Sequence, residues 1–148
     1  MRWGEIDLAR RTATLIDTKT GRSIRPLSHA ACAVLHNLPR DDRVFAPTRR
    51  SAGGLRFKKF WPRIAKLAGL PAEVTPRVLR HSFASLAADL GYSEPTIGAL
   101  IGRKGQTVTS RYLHSADAAL PAAADAVAAR ILDLMGEAAG ADAEPTQR

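Results

Sequence analysis

Forty residues, Thr75 to His114, lead a series of cations up to one phenol. They include Thr75-Pro76-Arg77-Val78-Leu79-Arg80-His81-Ser82-Phe83, then Leu100-Ile101-Gly102-Arg103, then Thr109-Ser110-Arg111-Tyr112-Leu113-His114. Phosphoryl transfer calls for such a set, because its transition state spreads negative charge over non-bridging oxygens. A tyrosine oxygen can then act as the covalent nucleophile. Arg80 offers paired donors to a phosphate and keeps its charge at any physiological pH. Taken singly, each residue has a plainer reading. An arginine on a helix flank often pairs with a carboxylate, and a lone tyrosine more often packs half-buried with its hydroxyl satisfied.

The elements that must hold these residues are mostly helical. Thr75-Pro76 opens a helix, proline being favoured in the first turn, with Leu79, Phe83, Leu86 and Leu90 on one face and Gly91 ending it. Ser93 caps a shorter helix through Leu100, and Thr107 to Leu113 has the length for another turn or two. Upstream, Thr12–Ile16 and Arg22–Arg25 read as two strands of a hairpin turned through Asp17-Thr18-Lys19-Thr20-Gly21, with Lys19 at or near the tip. Ser28 is the expected N-cap of a helix ending near Leu38, before Pro39. Residues 39–54 form a basic connection, and a helix over about 55–68 offers Phe57, Phe60, Trp61, Ile64 and Leu67 to the core, with Pro62 arguing for a kink or a later start. An Ala-rich helix over 117–135 carries the stripe Leu120, Ala124, Val127, Ile131 and Leu134, and residues 136–148 are expected to be a disordered tail. The expected fold class is mainly α with a small β-hairpin or sheet.

The chain has 148 residues, one domain's worth, with 22 Lys and Arg against 14 Asp and Glu and a formal charge of +8. The charge is polarised: residues 1–80 hold 17 basic and 6 acidic side chains, residues 81–148 hold 5 and 8. A basic first half suggests a polyanion-facing surface, although an arginine-rich composition alone favours nucleic acid only modestly. One cysteine, Cys32, excludes an internal disulfide and a cysteine-built zinc site, and its apolar neighbours imply a buried core thiol. No leader or membrane-length apolar run is visible, so a reducing cytoplasm is the expected compartment.

The cation series, its nine-residue interval from Arg103 to Tyr112, the hairpin lysine and Trp3-Gly4-Glu5-Ile6-Asp7 together resemble the catalytic core of the tyrosine recombinases, the phage integrase family. The resemblance runs from about Arg2 to Arg130. It implies the DNA breaking-rejoining fold, helices around a small sheet that bind double-stranded DNA from one side. It also implies site-specific recombination or integration, as for a phage or mobile element, with strand cleavage by Tyr112 through a 3′-phosphotyrosyl link. Arg80 would stabilise the phosphate and Lys19 would be general acid for the leaving 5′ oxygen. Arg22, Arg25, Arg49, Arg50, Lys58, Lys59 and Arg111 are the expected DNA-backbone contacts. No metal or nucleotide cofactor is implied, because the phosphotyrosine conserves the bond energy. The resemblance also implies a tetramer on DNA, assembled through the C-terminal helix packed in cis or in trans, and a bacterial or phage protein associated with the nucleoid.

The pattern departs from the family in three ways. Arg77 stands where family members have the histidine of His-x-x-Arg, and Arg103 where they have the histidine of Gly-His. His81 does not replace the first of these, since on a helix it points about 100° from Arg80. The family's first catalytic arginine precedes the Arg-Trp segment, where this chain begins. Residues 1–135 are therefore expected to be a partial catalytic domain without that arginine's helix or the N-terminal DNA-clamping domain, through gene decay, a mis-assigned start or domain splitting. Losing one oxyanion donor typically slows a reaction about a hundred- to a thousandfold, so impaired cleavage is expected. Two alternatives stand beside it: a non-catalytic DNA-binding remnant or decoy, and a type IB topoisomerase-like relaxing activity.

Overall fold

The computed structural model describes residues 1–16, 21–45, 57–103 and 119–141. A short 3-10 turn, Trp3–Glu5, leads into β1 (Ile6–Asp7), β2 (Thr12–Leu15) and β3 (Ser23–Pro26). The helices are α1 (His29–His36), α2 (Phe57–Leu67), α3 (Arg77–Asp89), α4 (Glu94–Ile101) and α5 (Ala119–Ala141). The mainly helical class with a small sheet is thus the observed one.

The sheet is antiparallel in the order β1-β2-β3. The expected hairpin strands are there, and Ile6–Asp7 adds a third that hydrophobic patterning over two residues could not reveal. In the β2–β3 ladder Thr12 faces Pro26, Ala13 faces Arg25, Thr14 faces Ile24 and Leu15 faces Ser23. Pro26 is tolerated because β3 is an edge strand and proline closes it. Gly21 enters β3 at φ 85°, the left-handed geometry expected of it.

Local signals set the helix ends. Ser28 Oγ accepts from the Ala31 N–H at 3.1 Å at the start of α1, and Ser93 Oγ accepts from Thr96 N–H at 3.4 Å at the start of α4. Pro76 precedes α3 in helical conformation without a side-chain cap. Gly91 (φ 82°) turns the chain out of α3, and Gly102 (φ 61°) ends α4. The last helix runs to Ala141, past the end expected near Met135, since Gly136 is followed by Glu-Ala-Ala, which sustains a helix already propagating.

The core lies where α3, α4 and α5 meet. Ala87, Leu100, Ala123, Ala124 and Val127 are buried there, flanked by Phe83, Leu86, Tyr92, Ile97, Leu120 and Ile131. Ala87 and Val127 are fully inaccessible. Small residues at the centre let the three helix backbones approach closely, so the packing is set by alanine rather than by the large side chains. The C-terminal helix packs against its own chain, and Asp125 fixes it in place. The carboxylate takes a 2.6 Å bond from Arg11 Nη1 and a 2.7 Å bond from the backbone N–H of His29.

Several core expectations change. In α2 only Trp61 of the five named residues is buried, alongside Ala65, while Phe57, Phe60, Ile64 and Leu67 are exposed. Trp61 donates Nε1–H to the Val74 carbonyl at 2.7 Å, so α2 is tied to the following link rather than to the main core. The helix also accommodates Pro62 in its interior. On α3, Leu79 and Leu90 are exposed, because the contact with α4 and α5 centres on Ala87 and its neighbours Phe83 and Leu86. Cys32 is half-buried rather than fully buried, and burial still raises its thiol pKa.

Candidate phosphate site

Three segments that are distant in sequence carry the arginines: the first turn of α3, the end of α4, and β3, which reaches the end of α4. Arg77 and Arg80 are the first and fourth residues of α3, both exposed. A three-residue spacing places them on one helix face. Arg103 follows the residue that ends α4, and its Nη1 lies 3.6 Å from Glu94 Oε1 with both side chains largely exposed. A solvated pair of this kind contributes little stability and leaves Arg103 available to a stronger anion.

Arg25 comes from the third segment, β3. Ala13, directly opposite it in the ladder, is buried, and cross-strand partners share a face of the sheet. Arg25 therefore turns inward while its neighbour Ile24 is exposed. Its Nη2 donates to the Gly102 carbonyl at 3.3 Å. Its Nη1 is buried and has no hydrogen-bond partner. The guanidinium covers the Gly102 Cα so closely that a Cβ there would fall on it. Burial first, and then the neighbouring Arg80 charge, push the Arg25 pKa below its ordinary value, though an arginine keeps its proton at neutral pH.

This geometry explains the form of the Gly102-Arg103 step. Gly102 adopts φ 61° and ψ 47°, with its N–H on the Ala99 carbonyl at 3.2 Å, and Arg103 N–H reaches the Gly98 carbonyl at 2.8 Å. The reversal turns the chain out of the helix just where Arg25 arrives. Two demands thus fall on one residue: a left-handed backbone and no side chain.

Of the expected site residues, Arg25 reaches the Gly102 carbonyl, next to which Arg103 follows in sequence, and the Arg80 charge is near enough to act on Arg25. Arg77 is one turn of α3 from Arg80. Arg22 is exposed, immediately before β3. Lys19, Arg49, Arg50, Arg111 and Tyr112 lie outside the described residues, as do the side chains of Lys58 and Lys59. Arg2 is engaged elsewhere: its Nη1 bonds both carboxylate oxygens of Asp42, at 3.0 and 3.2 Å. The inward course of Arg25 escaped the sequence reading, which named it only as a DNA-backbone contact. The alternation of β3 carried the signal, once its register against Ala13 was known.

Among the described residues no three His, Cys, Asp or Glu side chains group as metal ligands, and no helix is long and apolar enough to cross a membrane. No curated protein is significantly similar to the chain. A sequence profile of the phage integrase family, however, matches residues 1–119. That span includes the sheet, the first four helices and the whole series from Arg77 to Tyr112, and by it the chain belongs to the phage integrase family, the tyrosine recombinases of DNA recombination and integration.

Proposed function

We propose that the chain binds double-stranded DNA and cleaves one strand through Tyr112, with the scissile phosphate held by Arg80 and by the cations gathered at Gly102. The observation that carries this reading is the bond that joins Arg25 of β3 to Gly102 at the end of α4, next to Arg103, with the Arg80 charge acting on Arg25 from the first turn of α3. In the reaction, Tyr112 Oη attacks phosphorus and releases its proton to water. The bond from phosphorus to the 5′ oxygen breaks, and Lys19 Nζ protonates that oxygen. A 3′-phosphotyrosyl link remains. Rejoining reverses the step, a 5′ hydroxyl displacing the tyrosine and returning a proton to the lysine while Tyr112 Oη regains its own from water.

Cleavage by this chain is slow on the same reading. Arg77 and Arg103 supply charge where the family uses histidine, but neither can exchange a proton near neutral pH. Arginine is also longer, so two of them crowd a phosphate already contacted by Arg80. Assembly on DNA would use the side of α5 away from the core, where Leu132 and Met135 are exposed, or would exchange the Ala123–Val127 contact with a second copy.

A suicide DNA substrate tests the proposal. The chain is expected to form a covalent adduct at least about a hundredfold more slowly than its Arg77→His/Arg103→His variant, and Tyr112→Phe should form none in either background. An adduct that survives Tyr112→Phe refutes the assignment of the nucleophile. Adduct formation as fast as in the double-histidine variant refutes the impairment. DNA binding with no adduct from any variant would favour the second reading, a non-catalytic DNA-binding remnant, which the same cations also support.

A further inference from the structure

One side of α2 carries an apolar stripe that the described fold leaves uncovered. Trp61 and Ala65 are buried, because the link 70–74 returns to them. Leu70 N–H bonds the Ala65 carbonyl at 2.9 Å, and Trp61 Nε1–H bonds the Val74 carbonyl. Phe57 stacks at a tilt on the Trp61 ring, 5.9 Å between centroids. These contacts fix the rotation of the helix and leave Phe57, Phe60, Ile64 and Leu67 exposed, Leu67 at 80%. Among the described residues no other helix or strand packs broadly against α2.

The exposed residues are spaced by three, four and three positions. That is the a and d spacing of a seam between two helices, narrower than the broad face a helix turns to its own core. The seam is bordered by positive charge. Arg63 takes a g position beside it and is exposed, as is Lys66 next to Leu67. Residues 43–72 hold eight Lys and Arg and no Asp or Glu, while the rest of the chain holds fourteen of each kind. The whole excess charge of the chain is thus concentrated around this helix.

Any covering must suit both the seam and the cations. Duplex DNA suits the cations, but its grooves offer little apolar surface beyond thymine methyl groups. A second copy of α2 suits the seam and brings a second set of like charges to it. A membrane surface is usually entered by tryptophan, and here Trp61 is buried and bonded to Val74. A helix with its own apolar a and d residues and Asp or Glu beside them suits both.

We propose that the exposed seam of α2 is a docking surface for an acidic amphipathic helix of a partner protein. Apolar side chains of the partner pack between Phe57, Phe60, Ile64 and Leu67, and its carboxylates pair with Arg63. The surface is independent of the cleavage reading, since none of these residues belongs to the series from Arg77 to Tyr112.

The test uses the full chain and a designed peptide about three heptads long, with leucine at a and d and glutamate at e and g, which keeps it from pairing with itself. Fluorescence anisotropy should show saturable binding that weakens as salt rises. Phe60→Ser and Leu67→Ser, both at exposed positions, should each weaken it at least about tenfold. Val34→Ser, at an exposed apolar position on α1, should stay within about twofold of the parent. Arg63→Glu should lose at least about fivefold for this peptide and gain for the same peptide with lysine at e and g. An unfolded variant could not show that gain. No saturable binding, binding that survives both serine substitutions, or equal binding of the two peptides overturns the proposal. So does self-association of the parent that Phe60→Ser abolishes, which would make a second copy the occupant. Duplex DNA affinity should stay within about twofold in Phe60→Ser. A loss of about tenfold there, for DNA or for phosphatidylserine vesicles, overturns the proposal by giving the seam to that surface.

Discussion

Replacing Gly102 by alanine tests the architecture of the site directly. Gly69 provides an internal reference, because both residues have φ 61° while a Cβ at Gly69 meets nothing within 4 Å. At Gly69 the substitution brings only the backbone penalty, roughly 1–2 kcal/mol for a Cβ in the left-handed region. The reduced freedom of the unfolded chain offsets about 0.4–1 kcal/mol of that. At Gly102 the same penalty applies, and the Arg25 guanidinium must also move off the Cα. Its bond to the Gly102 carbonyl is then lost. At 3.3 Å that bond is long, so a value near the low end for charged donors, about 1–1.5 kcal/mol, is appropriate. Gly102→Ala should therefore cost about 1 kcal/mol more than Gly69→Ala. Urea unfolding of the parent, both alanine variants, Arg25→Ala and Arg25→Ala/Gly102→Ala measures the difference as a double-mutant cycle. In the Arg25→Ala background the excess at Gly102 should vanish. Arg25→Ala alone should cost little, because it also removes a charge standing beside Arg80. Equal costs at Gly69 and Gly102, or an excess that survives the loss of Arg25, would refute the reasoning.

Two further outcomes concern the contacts that hold the site's framework. Burial alone would raise the Asp125 pKa, but the bonds from Arg11 and from the His29 N–H outweigh it and hold the carboxyl below its ordinary value. A carboxyl depressed by folding stabilises the native state above its unfolded pKa, and that stability is lost as pH falls through the folded value. Asp125→Asn should thus lower stability by about 1–2 kcal/mol at neutral pH, with the difference from the parent shrinking below about pH 4; urea midpoints across that range measure it. Trp61→Phe removes the 2.7 Å donor to the Val74 carbonyl and should cost about 1–2 kcal/mol, with faster amide exchange in residues 70–74 and little change at Ala87 or Val127.

Capping and breaking residues made the element plan legible: Ser28, Ser93, Gly91 and Gly102 act where their chemistry places them. The family was legible in the motif around Arg80, Gly102-Arg103 and Tyr112, and a profile match over residues 1–119 gives the same family. Burial was less legible. Phe57, Phe60 and Ile64 look like core residues by type, yet the core is built from Ala87, Leu100, Ala123, Ala124 and Val127, of which the helical stripe marked only Ala124 and Val127. Alanine carries too weak a hydrophobic signal to mark a close helix crossing in a chain where it is common. The inward course of Arg25 was illegible for a related reason. Composition sends arginine to the surface, and only the β2–β3 register sets it opposite a buried alanine.

The charges described at the site are all of one chemical kind. Arg25, Arg77, Arg80 and Arg103 are fixed cations through the physiological range. They can neutralise a phosphate and orient it, but they cannot move a proton. In the proposed reaction, proton movement falls to Lys19 and Tyr112, and holding the phosphate falls to the arginines. The two duties are then separable in a way that histidines at positions 77 and 103 would not allow, since a histidine both donates to the phosphate and titrates near neutrality. Phosphate affinity should accordingly vary little with pH once the phosphate itself is ionised, and any pH dependence of cleavage belongs to the lysine and the tyrosine. On the proposed reading such a site would grip DNA phosphate whether or not it cuts, so that slow cleavage and firm binding would follow from the same substitutions.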